Sequence, residues 1–106
     1  MEAYKYIVFE ATGDNGLRYA IPVMFPKFIN HDEACKHMRM ALRSSDNGFT
    51  PGMPISAGFC SIENGEIFCG GKSETLNLKS RGKEDQKVFR EYNIYGRSMI
   101  LDPLDD

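Results

Sequence analysis

The dipeptide Asn64-Gly65 limits the fold of this chain more than any other feature, because it fixes one hairpin and its register. Both residues tolerate a positive φ, and strand-forming residues lie on either side of them in "CSIENGEIFC". This pattern predicts a two-residue type I′ turn between antiparallel strands. Counting away from the turn places Cys60 opposite Cys69, in a pair without backbone hydrogen bonds.

The remaining elements follow from hydrophobic periodicity and turn residues. Strands over 4–11 and 17–25 flank the turn-forming stretch "TGDNG" and predict a first hairpin. Pro22 lacks a backbone donor, so 17–25 is predicted to be an edge strand or to be bulged there. A helix capped by Asn30 or Asp32 follows, and a Gly/Pro-rich loop is expected over 44–54. A second helix is predicted over 83–95, with Gly96 as its C-cap.

The order hairpin, helix, hairpin, helix predicts an α+β fold in a single domain over 1–106. We expect two layers, an antiparallel four-stranded sheet with both helices on one face. At 100° per residue each helix has one apolar arc. The first helix presents Ala34, Cys35, Met38, Ala41 and Leu42, and the second presents Val88, Phe89, Tyr92 and Tyr95.

Composition excludes some classes of function and predicts a setting. The chain has 106 residues and a net charge of -2, which provides no general attraction to nucleic acid or anionic lipid. No apolar run approaches the ~20 residues that cross a bilayer, and "MEAYKYIVFE" lacks the basic start of a signal peptide. Three cysteines are an odd number. We therefore predict a cytoplasmic protein with no membrane contact and with reduced thiols, including Cys60 and Cys69.

No catalytic, cofactor or metal site is predicted. "CGGKSE" resembles the end of a phosphate-binding loop, but Glu66 stands where that motif requires glycine, and a strand-like segment follows instead of a helix. Gly70 and Gly71 are better explained by a bulge or a close backbone approach. Zinc would require Cys60 and Cys69 to converge with His31 and Cys35, and no C-x-x-C spacing supports that.

A basic cluster covers Lys72, Lys79, Arg81, Lys83, Lys87 and Arg90, with acidic residues interleaved. Mixed charge of this kind is typical of a solvated, salt-bridged face, and nucleic-acid binding is the functional alternative. Arg81 lies between the last strand and the second helix. Its guanidinium can bind a partner's carboxylate or phosphate, or form a salt bridge with Asp85 or Glu84.

The segment 54–81, "PISAGFCSIENGEIFCGGKSETLNLKSR", resembles small uncharacterised proteins of tailed bacteriophages. The resemblance rests on the "SAGF" strand at Ser56–Phe59 and on the pattern G-x-S-E-x-L-x-L-x-S-R over Gly71–Arg81. It implies a phage or prophage origin and a host-cytoplasm setting, and it assigns no functional residue.

We therefore expect a non-enzymatic, phage-type accessory protein that binds a host or phage protein. The candidate binding surface comprises Phe49, Met53, Lys72, Lys79 and Arg81, and the edge strand at 17–25 is a candidate for oligomer formation. The alternatives are a nucleic-acid-binding protein that uses the basic 72–90 segment, and a small-molecule or nucleotide-binding module at Gly70–Ser73. A deep polar pocket at that turn would favour the last alternative.

Overall fold

The computed structural model describes residues 2–14, 16–44, 49–95 and 99–100. Within these residues there are seven strands and two helices. In order they are β1 (Glu2–Gly13), β2 (Arg18–Phe25), α1 (His31–Ser44), β3 (Phe49–Glu63), β4 (Glu66–Gly70), β5 (Lys72–Ser73), β6 (Leu78–Lys79), α2 (Lys83–Tyr95) and β7 (Met99–Ile100). The α+β fold class is confirmed, since two hairpins build one antiparallel sheet that carries two helices.

Both predicted hairpins form. The second has the predicted register, with Cys60 opposite Cys69. Its turn has φ values of 53° at Asn64 and 82° at Gly65, as a type I′ turn requires. The sheet order is β4-β3-β1-β2-β7. The central strand is therefore β1, with β3 on one side and β2 on the other.

The loop predicted over 44–54 is wrong from Phe49 onward, because β3 begins there and pairs with the end of β1. The pairing is irregular, with Pro54 opposite Phe9 and Pro51 opposite Ala11. Gly52 allows the close approach, since a Cβ at this position would lie 2.8 Å from the carbonyl oxygen of Glu10. The Gly/Pro-rich stretch is therefore a bulged strand.

The helices lie on opposite faces of the sheet, so the prediction that both share one face is wrong. Successive strand residues point to opposite faces. Ile7 and Phe9 of β1 pack with Ala34 and Cys35 of α1. The intervening residues Tyr6 and Val8 pack with Val88 and Phe89 of α2. Because β1 is buried on both sides, its apolar residues form a continuous run and do not define one face.

The β2 edge is partly covered. Tyr19 and Ala20 pair with Ile100 and Met99 of β7, so the prediction of a free edge over 17–25 is wrong at those two positions. Pro22 lies beyond this pairing, opposite Val8 of β1. The predicted C-cap Gly96 lies outside the described residues, as do the side chains of Leu42, Tyr92 and Tyr95. Ala41 is exposed, whereas Ala34 and Cys35 are buried as predicted.

The short hairpin of β5 and β6 lies against β3 beyond the end of β4. Leu76 and Leu78 pack on the α1 side of the core, and the Ser80 backbone donates to the carbonyl of Gly71. The strand-like alternation of Leu76 and Leu78 is only partly strand, since residues 74–77 form a turn in which Asn77 has a φ of 55°. This hairpin carries Lys72 and Lys79 and leads into α2.

Candidate functional site

A buried polar cluster joins β1, β3 and the start of α2. Its centre is Asp85, whose side chain is 0% exposed. Ser56 Oγ donates to Asp85 Oδ1 over 2.8 Å, and Arg81 Nε donates to the same oxygen over 2.8 Å. The backbone N–H of Arg81 donates to Oδ2 over 2.9 Å. Tyr6 Oη lies 2.5 Å from Oδ2.

The direction of the Tyr6 hydrogen bonds follows from proton counting. Tyr6 Oη lies 2.6 Å from Ser80 Oγ as well as close to Asp85, but a phenol has a single proton. A carboxylate is the stronger acceptor, so Tyr6 donates to Asp85 and accepts from the Ser80 hydroxyl. Burial raises the pKa of Tyr6 far above its ordinary value, and the bond to Asp85 raises it further. Tyr6 therefore remains a neutral phenol at physiological pH.

This arrangement occupies the acceptor positions of Asp85 with donors from the protein itself. A carboxylate has about four lone-pair positions, and Asp85 receives four donors from Tyr6, Ser56 and Arg81. Asp85 cannot accept a substrate proton without breaking one of these bonds. Arg81, predicted to lie in a binding surface or to pair with Asp85 or Glu84, forms a salt bridge with Asp85. Because Asp85 is fully buried, removal of one partner of this pair should lower the free energy of unfolding more than it would for an exposed ion pair.

A second buried contact lies on the other face of the sheet. The imidazole of His31, at the start of α1, is 4% exposed and lies edge-on to the rings of Phe25 and Phe59. Its Nε2 is 2.9 Å from the carbonyl oxygen of Gly58. A carbonyl only accepts, so Nε2 carries the proton and donates. Burial lowers the pKa of His31, which keeps the ring neutral near pH 7.

We expect the stability of the protein to depend on pH through His31. The pKa of His31 is about 6.5 in the unfolded chain and lower in the folded one, so below this pH the unfolded state binds more protons. The contribution is complete above about pH 6.5 and is lost as the pH falls from there through the folded pKa. Urea unfolding between about pH 7.5 and 5.5 measures the effect.

The control for this prediction is His37, an exposed residue of the same helix. His31→Gln should flatten the pH dependence in this window, whereas His37→Gln should leave it as in the wild type. Equal pH profiles for the wild type and His31→Gln would contradict the assignment.

The opposed cysteines have poorly ionised thiols. Burial raises the pKa of Cys60 to about 11 and that of Cys69 to about 12, with the neighbouring Cys60 adding to the effect at Cys69. The thiolate is the reactive form, so both thiols are weak nucleophiles near neutral pH. The structure holds Cys35, Cys60 and Cys69 as free thiols. Their reduced state in the cell stays a prediction.

The predicted surface residues come from three different parts of the fold, β3, the β5–β6 hairpin and the segment just before α2. Lys72 and Lys79 are exposed cross-strand neighbours in the β5–β6 hairpin. Met53 is 63% exposed on β3. Phe49 pairs through its backbone with Gly13, and its side chain lies outside the described residues. The sequence missed two concave surfaces, because both are assembled from distant segments.

The first concave surface, here termed the apolar groove, lies between α2 and the sheet and has a volume of about 300 Å³. Its apolar walls include Met24, Ile62, Ile67 and Phe89. Met24 is 40% exposed, and Ile62 and Ile67 are half-buried. Its polar lining residues are Glu66, Gln86 and Arg90.

The second, here termed the Phe59 cleft, lies on the α1 face and has a volume of about 490 Å³. Phe59 and Lys5 come from the sheet, Asn30 and His31 from the start of α1, and Gly71 and Lys72 from the turn after β4. Glu74 and Thr75 complete the lining. The cleft thus includes Gly71 and Lys72 of the Gly70–Ser73 turn, the predicted alternative site for a small molecule or nucleotide.

The turn itself is not a phosphate-binding loop. Ser73 is 2% exposed, and its Oγ accepts the backbone N–H of Leu76 over 3.2 Å. Lys72 and Ser73 form strand β5, whereas the phosphate loop requires a helix after the corresponding Lys-Ser pair.

Two absences hold for residues 2–14, 16–44, 49–95 and 99–100. In that part of the chain, no group of three or more His, Cys, Asp or Glu residues is placed to hold a metal ion. None of the helices described there is both long and apolar enough to span a bilayer.

Comparison of the chain with models of protein families, with curated proteins and with solved structures found no match in any of the three.

Proposed function

We propose that this chain is a small non-enzymatic binding protein whose partner is a protein, and that the partner docks in the apolar groove. The observation that carries the proposal is the partial exposure of large apolar side chains in a concave surface. Met24 leaves about two fifths of its surface in water, at 40%, and the neighbouring Ile62 and Ile67 are only half-buried. A partner that covers them gains the free energy of removing that surface from water.

The chemistry of the groove fits a protein segment better than a nucleic acid. Its walls are apolar, and its charged lining residues Glu66 and Arg90 have opposite signs. An apolar centre with a polar rim is the usual anatomy of a protein interface. A polyanion would meet the carboxylate of Glu66 and find one guanidinium there.

The absence of an activated group in the buried polar cluster supports a non-enzymatic role. Asp85 is saturated with donors, and Tyr6 is held as a neutral phenol. The resemblance of residues 54–81 to bacteriophage proteins supports a partner in a bacterial cytoplasm.

A pair of methionine variants tests the proposal. Met24 lies in the apolar groove, and Met53 lies outside it in the surface that the sequence suggested; both are well exposed, at 40% and 63%. Met24→Lys should lower partner capture from a bacterial lysate at least about tenfold, because an ammonium group would be desolvated in the interface. Met53→Lys should leave capture unchanged.

The same experiment separates the alternatives. Nuclease treatment of one aliquot should not change the captured material. Loss of capture after nuclease, with steep salt dependence, would replace the proposal with nucleic-acid binding through the exposed pair Lys72 and Lys79. Loss of capture with Met53→Lys and not with Met24→Lys would move the interface to β3.

A further inference from the structure

We propose a second binding site, for a small organic anion with a planar apolar part, in the Phe59 cleft beside Lys5 and Lys72. This site is separate from the apolar groove, which lies on the opposite face of the sheet. At about 490 Å³ the cleft falls within the range of small-molecule sites, roughly 300–1,000 Å³.

Phe59 supplies a fixed aromatic surface. Its side chain is 42% exposed and lines the cleft. The ring of His31 holds it edge-on, with centroids 5.8 Å apart and an interplanar angle of 86°. Gly71 lies against the ring, since a Cβ there would be 3.2 Å from Phe59 Cδ2. A ring held in this way offers a preorganised surface for a planar ligand.

Lys5 supplies a positioned positive charge. Its Nζ donates to the carbonyl oxygen of Ile29 over 2.9 Å, which fixes the ammonium group at the cleft. An ammonium group has three donors, so two remain for a ligand. A bond from one of them to a carboxylate or phosphate oxygen would be charge-assisted and short.

Lys72 supplies a second positive charge. Within the described part of the chain, Lys72 forms an ion pair with Glu74 over 3.9 Å, between side chains that are 66% and 85% exposed. A pair so exposed is weak, so an anion in the cleft competes with Glu74 for Lys72. Two ammonium groups and one carboxylate line the cleft, while His31 is neutral near pH 7. The balance favours an anion.

Naphthoate is the probe that tests the site, because it combines a planar apolar ring system with a carboxylate. Its amide, naphthamide, keeps the ring without the charge, and acetate keeps the charge without the ring. In an amide NMR titration, naphthoate should give saturable shifts at Phe59, Gly71 and Lys72. Naphthamide and acetate should each bind at least about tenfold more weakly, since each lacks one of the two contacts.

Lysine variants locate the charge. Lys5→Met and Lys72→Met should each weaken naphthoate binding about tenfold. Lys79→Met is the matched control, because Lys79 is an exposed lysine opposite Lys72 that does not line the cleft. Lys79→Met should change the affinity less than about twofold. If Lys5→Met does not fold, Lys72→Met alone decides the result.

Three results would overturn the proposal. Shifts confined to Met24 and Ile67 would place the probe in the apolar groove. Equal affinity for naphthoate and naphthamide would remove the role of charge. Unchanged binding in Lys72→Met would separate the anion from this cleft. None of these results depends on the protein partner, so failure here and failure of the proposed function are distinguishable.

Discussion

Asp85→Ala is expected to lower the free energy of unfolding by about 3–5 kcal/mol, because it breaks a buried ion pair and removes the common acceptor of a polar cluster. The carboxylate is fully buried and accepts from Ser56, Tyr6 and Arg81. Without it, the Arg81 guanidinium loses its ion pair, and the Tyr6 and Ser56 hydroxyls lose their acceptor inside the protein. Urea unfolding followed by circular dichroism measures the loss.

Glu84→Ala is the matched control. Glu84 precedes Asp85 in the first turn of α2 and is exposed. An exposed carboxylate in the first turn gains a modest interaction with the helix dipole, so the loss of Glu84 should cost less than about 1 kcal/mol. Similar losses in the two variants would contradict the central role of Asp85. Asp85→Asn should fall between them, since the amide retains the shape but lacks the charge.

The hairpins could be predicted because their signals are local. Asn64 and Gly65 take the positive φ values that a type I′ turn requires, and the turn alone fixes which cysteines face each other. The predicted bounds of α2, 83–95, are confirmed, and the sequence signals that indicate them are also local. Nothing beyond a few neighbouring residues decides these features.

The failures have a non-local origin. Residues 49–54 have the composition of a loop, but pairing with β1 makes them a strand, and Gly52 is needed for the approach to Glu10. On the even-numbered face of β1, Val8 is apolar but Tyr4 and Tyr6 carry hydroxyl groups, so the sequence pattern indicated a single buried face. The packing of α2 on that second face made it a core surface.

The buried polar cluster was also out of reach of the sequence. Asp85 fits the helix dipole at the start of α2, which explains an exposed acid equally well. Its burial depends on Tyr6 and Ser56, which lie 79 and 29 residues away. The proximity of Arg81 to Asp85, four residues apart, was the one local signal of the pair.

The candidate surfaces divide in the same way. The turn at Gly71 and Lys72 drew attention in the sequence and does line the Phe59 cleft, but Lys5 and His31 reach it only through the fold. The apolar groove gave no local signal. Its walls combine Met24 of β2, Ile67 of β4 and Phe89 of α2, and no short stretch contains more than one of these elements.

Gly58→Ala is expected to cost about 3 kcal/mol or more, or to prevent folding, because there is no space for a methyl group. A Cβ at this position would lie 2.4 Å from the carbonyl oxygen of Gly70 and 3.2 Å from Ser80 Cβ. The first contact is with backbone, which cannot rotate away. The clash is relieved only if the segment that connects β4 with β5 moves. That movement would displace Ser80 from its hydrogen bond with Tyr6.

The test compares Gly58→Ala with Gly70→Ala, because these two glycines lie against each other. A Cβ at Gly70 would have no atom within 4 Å, so Gly70→Ala should change stability by less than about 1 kcal/mol. The amide NMR spectrum of any folded Gly58→Ala should shift at Ser80, Arg81 and His31, since the His31 imidazole donates to the Gly58 carbonyl. Equal stability of the two alanine variants would contradict the close approach of Gly58 to the carbonyl oxygen of Gly70. Such a result would also contradict the position of Gly58 between His31, which donates to its carbonyl, and Ser80, which borders the polar cluster of Asp85.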